Sequence, residues 1–230
     1  MDVLSPEELE ALRLSLKVGF WNLVISLPLA VAVAWLLARR DFWGKELLNG
    51  LVHLSLILPP VVTGYILLIL LGRRGPLGTL LEEWFGIVVA FRWTGAVVAA
   101  MVMAFPVVVR PIRLSIEAID RRLESAAGTL GASPFEVFLT VTLPLALPGI
   151  IAGGILGFAK GMGEFGATIT FVSNIPGETR TLSLAIYSFT QTPGGELAAL
   201  RLTLIAVVVS MAALLASELL GRMLARRIEA

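Results

Sequence analysis

Five stretches of this chain are long and apolar enough to cross a lipid bilayer, and they limit its fold more than any other feature. Uncharged runs close to the ~20 residues that a transmembrane helix needs lie at 18–37, 47–71 and 93–109. Residues 137–159 are also uncharged, but their first part belongs to a polar island. The fourth span is therefore expected from about 145 to 172, with Lys160 and Glu164 inside it. The fifth covers 197–217, with Arg201 near its start. With 57% hydrophobic residues the chain carries more apolar surface than a soluble domain buries. These features predict an all-α integral membrane protein of about five transmembrane helices, a single domain over 1–230.

The N-terminus lacks the basic segment and small-residue cleavage site of a secretory signal, so the first span is expected to remain as an uncleaved anchor. Ser5-Pro6-Glu7-Glu8 carries a capping-box signature with proline at the first helical position, which predicts a short amphipathic helix ahead of the membrane. Five spans put the termini on opposite sides, and the Lys/Arg distribution orients them. With the N-terminus outside, the inner segments hold Arg39, Arg40, Lys45, Arg110, Arg113, Arg121, Arg122, Arg222, Arg226 and Arg227. The outer ones hold Arg13, Lys17, Arg73, Arg74, Arg92, Arg180 and Arg201. Ten against seven favours a cytoplasmic C-terminus and a cytoplasmic 110–144 segment.

That segment contains the polar island. Residues 116–130 are helix-compatible, with Arg121, Arg122 and Glu124 on the wet side, and Gly131 sits where a left-handed cap ends a helix. Ser133-Pro134-Phe135-Glu136 repeats the capping box, so a second helix starts at once and carries Phe135, Val137, Phe138 and Val141 toward the membrane. Two short helices about a glycine turn make a compact docking protrusion. The same pattern also suits an amphipathic loop lying on the membrane surface.

In the fourth span Gly149, Gly153, Gly157 and Gly161 recur every four residues. Glycine costs about 1 kcal/mol in a helix interior, so something must use the missing side chains. Close helix packing is one use; a pathway along a symmetric dimer interface is another. Lys160 and Glu164 stand one turn apart near the middle of the bilayer, where a charge must pair or meet water. They are either a self-neutralising pair that fixes packing or the border of a water-filled route. As a pair, neutralising Glu164 alone is expected to be worse than replacing both, because it strands a buried cation. Gly163 and Gly166 flank the acid and predict irregular backbone there.

The function classes left open are few. Zero cysteines exclude disulfides and thiolate sites, and His53 is the one histidine, read as a packed or pore-facing polar residue. No metal cluster, cofactor motif or catalytic Ser/His pairing is present, and a net charge of +1 offers no footprint for nucleic acid. No G-x-x-x-x-G-K-[ST] occurs, so any ATP must be hydrolysed by another chain. A secondary transporter usually shows internal repeats with broken helices in both halves, and five spans with one unrepeated signature argue against one.

Two sets of residues carry a resemblance. Ser125-Ala126-Ala127, Gly131, Val141 and Leu143-Pro144 are similar in spacing to the EAA loop of ABC importer permeases, with serine at the first position and Glu124 one residue earlier. The run 163–181, GEFGATITFVSNIPGETRT, and Gln191-Thr192-Pro193-Gly194-Gly195-Glu196 resemble molybdate importer permeases. So do Leu58-Pro59-Pro60-Val61-Val62-Thr63-Gly64-Tyr65 and Gly72-Arg73-Arg74-Gly75. Lysine at position 160 departs from the arginine usual in that family and lacks its bidentate fork.

The resemblance implies a type I ABC importer permease fold in the bacterial cytoplasmic (inner) membrane, working beside a second copy of itself. Two cytoplasmic ATPase subunits would dock on Glu124, Ser125, Ala126, Ala127, Gly131, Ala132, Ser133 and Pro134. A periplasmic or lipid-anchored molybdate-binding protein would use the outer surfaces at 72–92 and 174–181. Lys160, Gly163, Glu164, Gly166 and Thr168 would border the translocation path or gate for molybdate and tungstate. A sulfate-type oxyanion permease and a non-transporting membrane scaffold are the alternatives.

Overall fold

The computed structural model describes residues 4–229, and the side chains of 222 and 224–229 fall outside the description. The inner charges counted at Arg222, Arg226 and Arg227 therefore lie beyond it. Helices are the only regular elements among the described residues. They are α1 (Pro6–Arg39), α2 (Lys45–Ile57), α3 (Pro60–Leu71), α4 (Pro76–Phe85), α5 (Trp93–Ala118), α6 (Arg121–Thr129), α7 (Pro134–Val137), α8 (Leu143–Met162), α9 (Gly166–Val172), α10 (Leu182–Thr190) and α11 (Glu196–Glu229). A π-helical turn, Phe138–Thr142, joins α7 to α8 without a break. Four continuous stretches can span a membrane, at Pro6–Arg39, Trp93–Ala118, Pro134–Met162 and Glu196–Gly221. The pair α2 and α3 is apolar enough for a fifth only when its two halves are taken as one span, and it is bent by 117° between them.

The capping box at Ser5 forms as expected, with the Glu8 amide donating to Ser5 Oγ at 3.3 Å. The helix it starts does not stop at the membrane. It runs unbroken for 34 residues through Pro28, about 51 Å at 1.5 Å per residue, so the separate amphipathic helix is absorbed into the first span. Its inward stripe is small or polar: Ala11, Ser15, Gly19, Asn22, Ser26, Ala30 and Ala34 are buried. Phe20, Trp21, Val24, Ile25 and Leu29 point outward. This inversion of a soluble helix is what lipid favours, because small residues let helices approach where no water drives them together. Ser15 Oγ accepts the Leu182 amide at 2.6 Å, and Asn22 Nδ2 donates to the Gly157 carbonyl at 2.9 Å. Buried Glu8 takes both donors of Arg201, at 2.9 and 3.1 Å, tying α1 to α11.

The centre of the bundle is α5 against α8 and α1. The glycine stripe lies in that contact. A Cβ on Gly149 would stand 2.2 Å from Ser115 Oγ and 2.5 Å from the Pro111 carbonyl; on Gly157, 2.3 Å from Val108 Cγ2; on Gly161, 2.5 Å from Asn22 Nδ2. The stripe thus serves packing within one chain, and the dimer-interface expectation for these four glycines is corrected. Gly149→Val is expected to destabilise the bundle by about 1–3 kcal/mol through overpacking. The thermal midpoint of the detergent-solubilised protein measures this, and an unchanged midpoint would show that α8 can step away from α5.

Two spans are interrupted for local reasons. Pro59-Pro60 cannot continue α2, because each proline removes an amide donor and the preceding residue is pushed to extended backbone. Leu58 and Pro59 are extended (ψ 140° and 134°), and the second span bends sharply there. The fourth span ends at Met162, not near 172, and the chain restarts at Gly166.

Candidate functional site

At one end of the bundle α5 stays helical to Ala118, held by buried Val108, Val109, Ile112 and Ile116. The connecting loop therefore begins at 119, and the helix expected over 116–130 is interrupted there. The Asp120 side chain accepts the Arg122 amide at 2.9 Å and starts α6. Gly131, at φ +94°, turns the chain; its amide reaches the Gly128 carbonyl at 3.1 Å. Ser133 and Glu136 close the second capping box, and α7 follows. These bonds bring Glu124, Ser125, Ala126, Ala127, Gly131, Ala132, Ser133 and Pro134 into one protrusion. Ser125, Ala126, Gly131, Ser133 and Pro134 are exposed on it. So are Leu123, Phe135 and above all Leu130, at 89%. Phe135 lines an apolar cavity with Ala32, Trp35 and Leu36 of the first span, on the side where the sequence carries it toward the membrane. Phe138 does turn inward, edge-on to Trp35 at 6.0 Å.

Glu124 is not on the wet side. Its carboxylate lies 3.0 Å from Arg39 Nε and accepts the Thr142 hydroxyl at 2.7 Å. Arg39 Nη2 also donates to the Ile119 carbonyl at 3.0 Å, and the Arg39 and Glu124 side chains are only 9% and 18% exposed. The reason is the helix period: Glu124 falls on the α6 face turned to the end of α1, where an arginine needs a counter-charge. A cavity of about 370 Å³, lined in part by Trp35, Arg40, Gly128 and Pro134, separates the rest of the protrusion from α1. In the α1–α2 turn, a 2.7 Å bond from Lys45 holds the Asp41 carboxyl below its ordinary range.

In the middle of the bundle the two interrupted spans meet. Gly166, the first residue of α9, is so close to α3 that a Cβ would stand 2.7 Å from Pro60 Cβ. A Cβ on Gly64 would stand 2.5 Å from the Ala167 carbonyl. Glu164 bridges the gap between α8 and α9. One oxygen accepts the Ala167 amide at 3.0 Å, and the other faces Lys160 Nζ at 3.4 Å. Gly163 is exposed and Thr168 is buried. Irregular backbone was expected at Gly163 and Gly166 and is found there. The burial of the pair is unequal: Glu164 is 3% exposed and Lys160 41%. Lys160 is therefore not the stranded partner that the spacing suggested. Next to the other break, an apolar cavity of about 420 Å³ takes in Ser55 and Thr63, whose buried hydroxyls have no partner. His53 is half-buried, with Nδ1 2.9 Å from the Asn49 carbonyl.

The opposite end carries 72–92 and 173–181 beside the start of α1. Glu178 reaches the Trp93 amide at 3.4 Å, Lys17 Nζ lies 3.5 Å over the Trp93 ring, and Arg180 approaches Glu7 at 3.9 Å. Arg73, Phe91, Arg92 and Glu178 line a polar cavity of about 400 Å³. Sequence spacing had no means of linking Arg39 to Glu124, or Arg201 to Glu8, because those partners are 85 and 193 residues apart.

The chain resembles known proteins over almost its whole length. It is 56% identical over 221 residues to the molybdenum transport system permease protein ModB of Haemophilus influenzae, covering 96% of each chain. It is likewise 56% identical over 220 residues to the ModB protein of Escherichia coli K12, again with 96% of each covered. Among solved structures, a bacterial ABC transporter involved in import of the acidic polysaccharide alginate superposes with a TM-score of 0.75 at 15% identity, covering 95% of this chain and 80% of that one. The fold is that of an ABC importer permease. Residues 26–230 match the model of the binding-protein-dependent transport system inner membrane component, and the chain belongs to that family.

Proposed function

We propose that this chain is the membrane-spanning permease subunit of an ATP-driven importer that moves molybdate, and also tungstate, into the bacterial cytoplasm. The near-full-length 56% identity to relatives named as molybdenum transport permeases carries this reading. The geometry supports it with a polar protrusion at one end, two interrupted spans in the middle and a basic cavity at the other end.

Two copies pair around a shared pathway, and each docks one cytoplasmic ATPase subunit on its 119–134 protrusion. Leu123 and Leu130 are its exposed apolar residues, beside Ser125, Ala126, Ala127, Ala132, Ser133 and Pro134. The chain has no phosphate-binding loop of its own, so hydrolysis belongs to those subunits. The N-terminus and the 72–92 and 174–181 surfaces face outward and receive a molybdate-binding protein; the C-terminus is cytoplasmic. Lys160 draws the dianion toward the break between α8 and α9, and Glu164 limits how tightly it is held. Gly163, Gly166 and Thr168 let the backbone bend there, since irregular backbone at membrane depth is tolerated where it lines a cavity or is buried in protein.

Labelled molybdate uptake tests this in cells lacking their own system, expressing the chain with its ATPase and binding protein. Uptake is expected, blocked by excess tungstate and spared by excess sulfate. Uptake abolished by sulfate would make this a sulfate-type permease. No uptake with all partners present would leave a scaffold role.

A further inference from the structure

The 119–134 protrusion is covalently joined to α5 before it and, through the π-helical turn, to α8 after it. It is not joined to α1, which packs on both of those helices. The link to α1 is the ion pair of Arg39 with Glu124, supplemented by Arg39 Nη2 on the Ile119 carbonyl at 3.0 Å and a long contact of Arg121 with the Ala38 carbonyl at 3.5 Å. Glu124 also holds Thr142, the last residue of the π-helical turn, at 2.7 Å. One carboxylate on α6 therefore fastens three elements: the end of α1, the protrusion and the foot of α8.

We propose that Glu124 is a positioning residue that makes α1 move with the protrusion, and that it does so from behind the docking surface without touching the ATPase. This rests on the importer reading above. Three features of the site favour it. The pair is largely buried, so its attraction is little screened by salt. The neighbouring cavity gives the protrusion room to shift against α1, so without the pair α6 could tilt while α1 stays in place. Beyond the pair, α1 is a single 34-residue rod whose other end is fastened by Glu8 to Arg201 and approached by Arg180 through Glu7. A displacement imposed at Arg39 is carried by that rod to the end where 173–181 lies. Breaking the pair weakens that connection while leaving every helix in place.

The test uses the assembled complex in liposomes with the binding protein enclosed, recording molybdate transported per ATP and retention of the ATPase subunits on purification. Arg39→Gln and Glu124→Gln are each expected to lower transport per ATP by several-fold, and the double variant to be no worse than either single, as for two residues acting as a unit. Glu124→Asp is expected to restore part of the loss. Arg39→Gln complexes are expected to keep their ATPase subunits. If Glu124→Gln sheds the ATPase while Arg39→Gln behaves as wild type, Glu124 is a docking contact and the proposal is overturned. Additive losses in the double variant would also overturn it. If the unmutated chain retains no ATPase, the importer reading fails first, a different result from either.

Discussion

Gly131→Val is expected to lower molybdate uptake by roughly tenfold or more, from the left-handed backbone this turn requires, while the protein still inserts and folds. The cause is not steric bulk at the docking surface: a Cβ at Gly131 would meet nothing within 4 Å. The cause is φ, which at +94° suits glycine and strains a β-branched residue. A penalty of about 1–2 kcal/mol is small for the whole protein. It is large for a turn held by a few backbone bonds, such as Gly131 to Gly128 and Ala132 to Ala127. Relaxing it swings α7 away from α6. Asparagine tolerates left-handed backbone better than other non-glycine residues, so Gly131→Asn is expected to keep much more activity. Uptake and stimulated ATPase, measured beside membrane insertion, decide the matter. Equal losses for valine and asparagine would point to crowding against a partner, and full activity in Gly131→Val would refute the coupling role of the turn.

The second large effect concerns Lys160 and Glu164. Lys160→Met is expected to do more damage than Glu164→Gln, and replacing both is expected to recover most of the stability lost with the lysine. Losing one member of a buried pair costs about 3–5 kcal/mol, and the half-exposed lysine moves this site to the lower end. The carboxylate is the buried member, so removing Lys160 strands it with the Ala167 amide as its remaining donor. Glutamine at 164 can still accept that amide, and the Lys160 side chain left behind is not enclosed by the chain's own helices. Thermal midpoints should therefore fall in the order wild type, Glu164→Gln, Lys160→Met. An uptake loss in Lys160→Met with no change in midpoint would assign the lysine to the anion path alone.

Much of this molecule was legible from periodicity and local chemistry. Segments that cross a bilayer have no alternative to helix for satisfying their backbone in lipid, so the all-helical fold followed from the apolar runs. Both capping boxes, at Ser5 and Ser133, and the left-handed turn at Gly131 are decided within four residues, and all three form as read. Pro59-Pro60 cannot continue a helix, though a 117° bend exceeds what two prolines alone specify. Pairings across the bundle were not legible, because helix period shows which residues share a face but not what that face meets. Glu124 looked wet until Arg39 arrived from 85 residues away. The glycine stripe at 149, 153, 157 and 161 suited two interfaces until α5, with Asn22 of α1 at Gly161, filled it from within the chain. The unequal burial of the Lys160–Glu164 pair was not legible either, since two charges one turn apart are symmetric in sequence and only the surrounding helices make them unequal. Local bonding thus determined where each helix starts and stops, and packing over long sequence distances decided which charges are buried and which surfaces remain for partners.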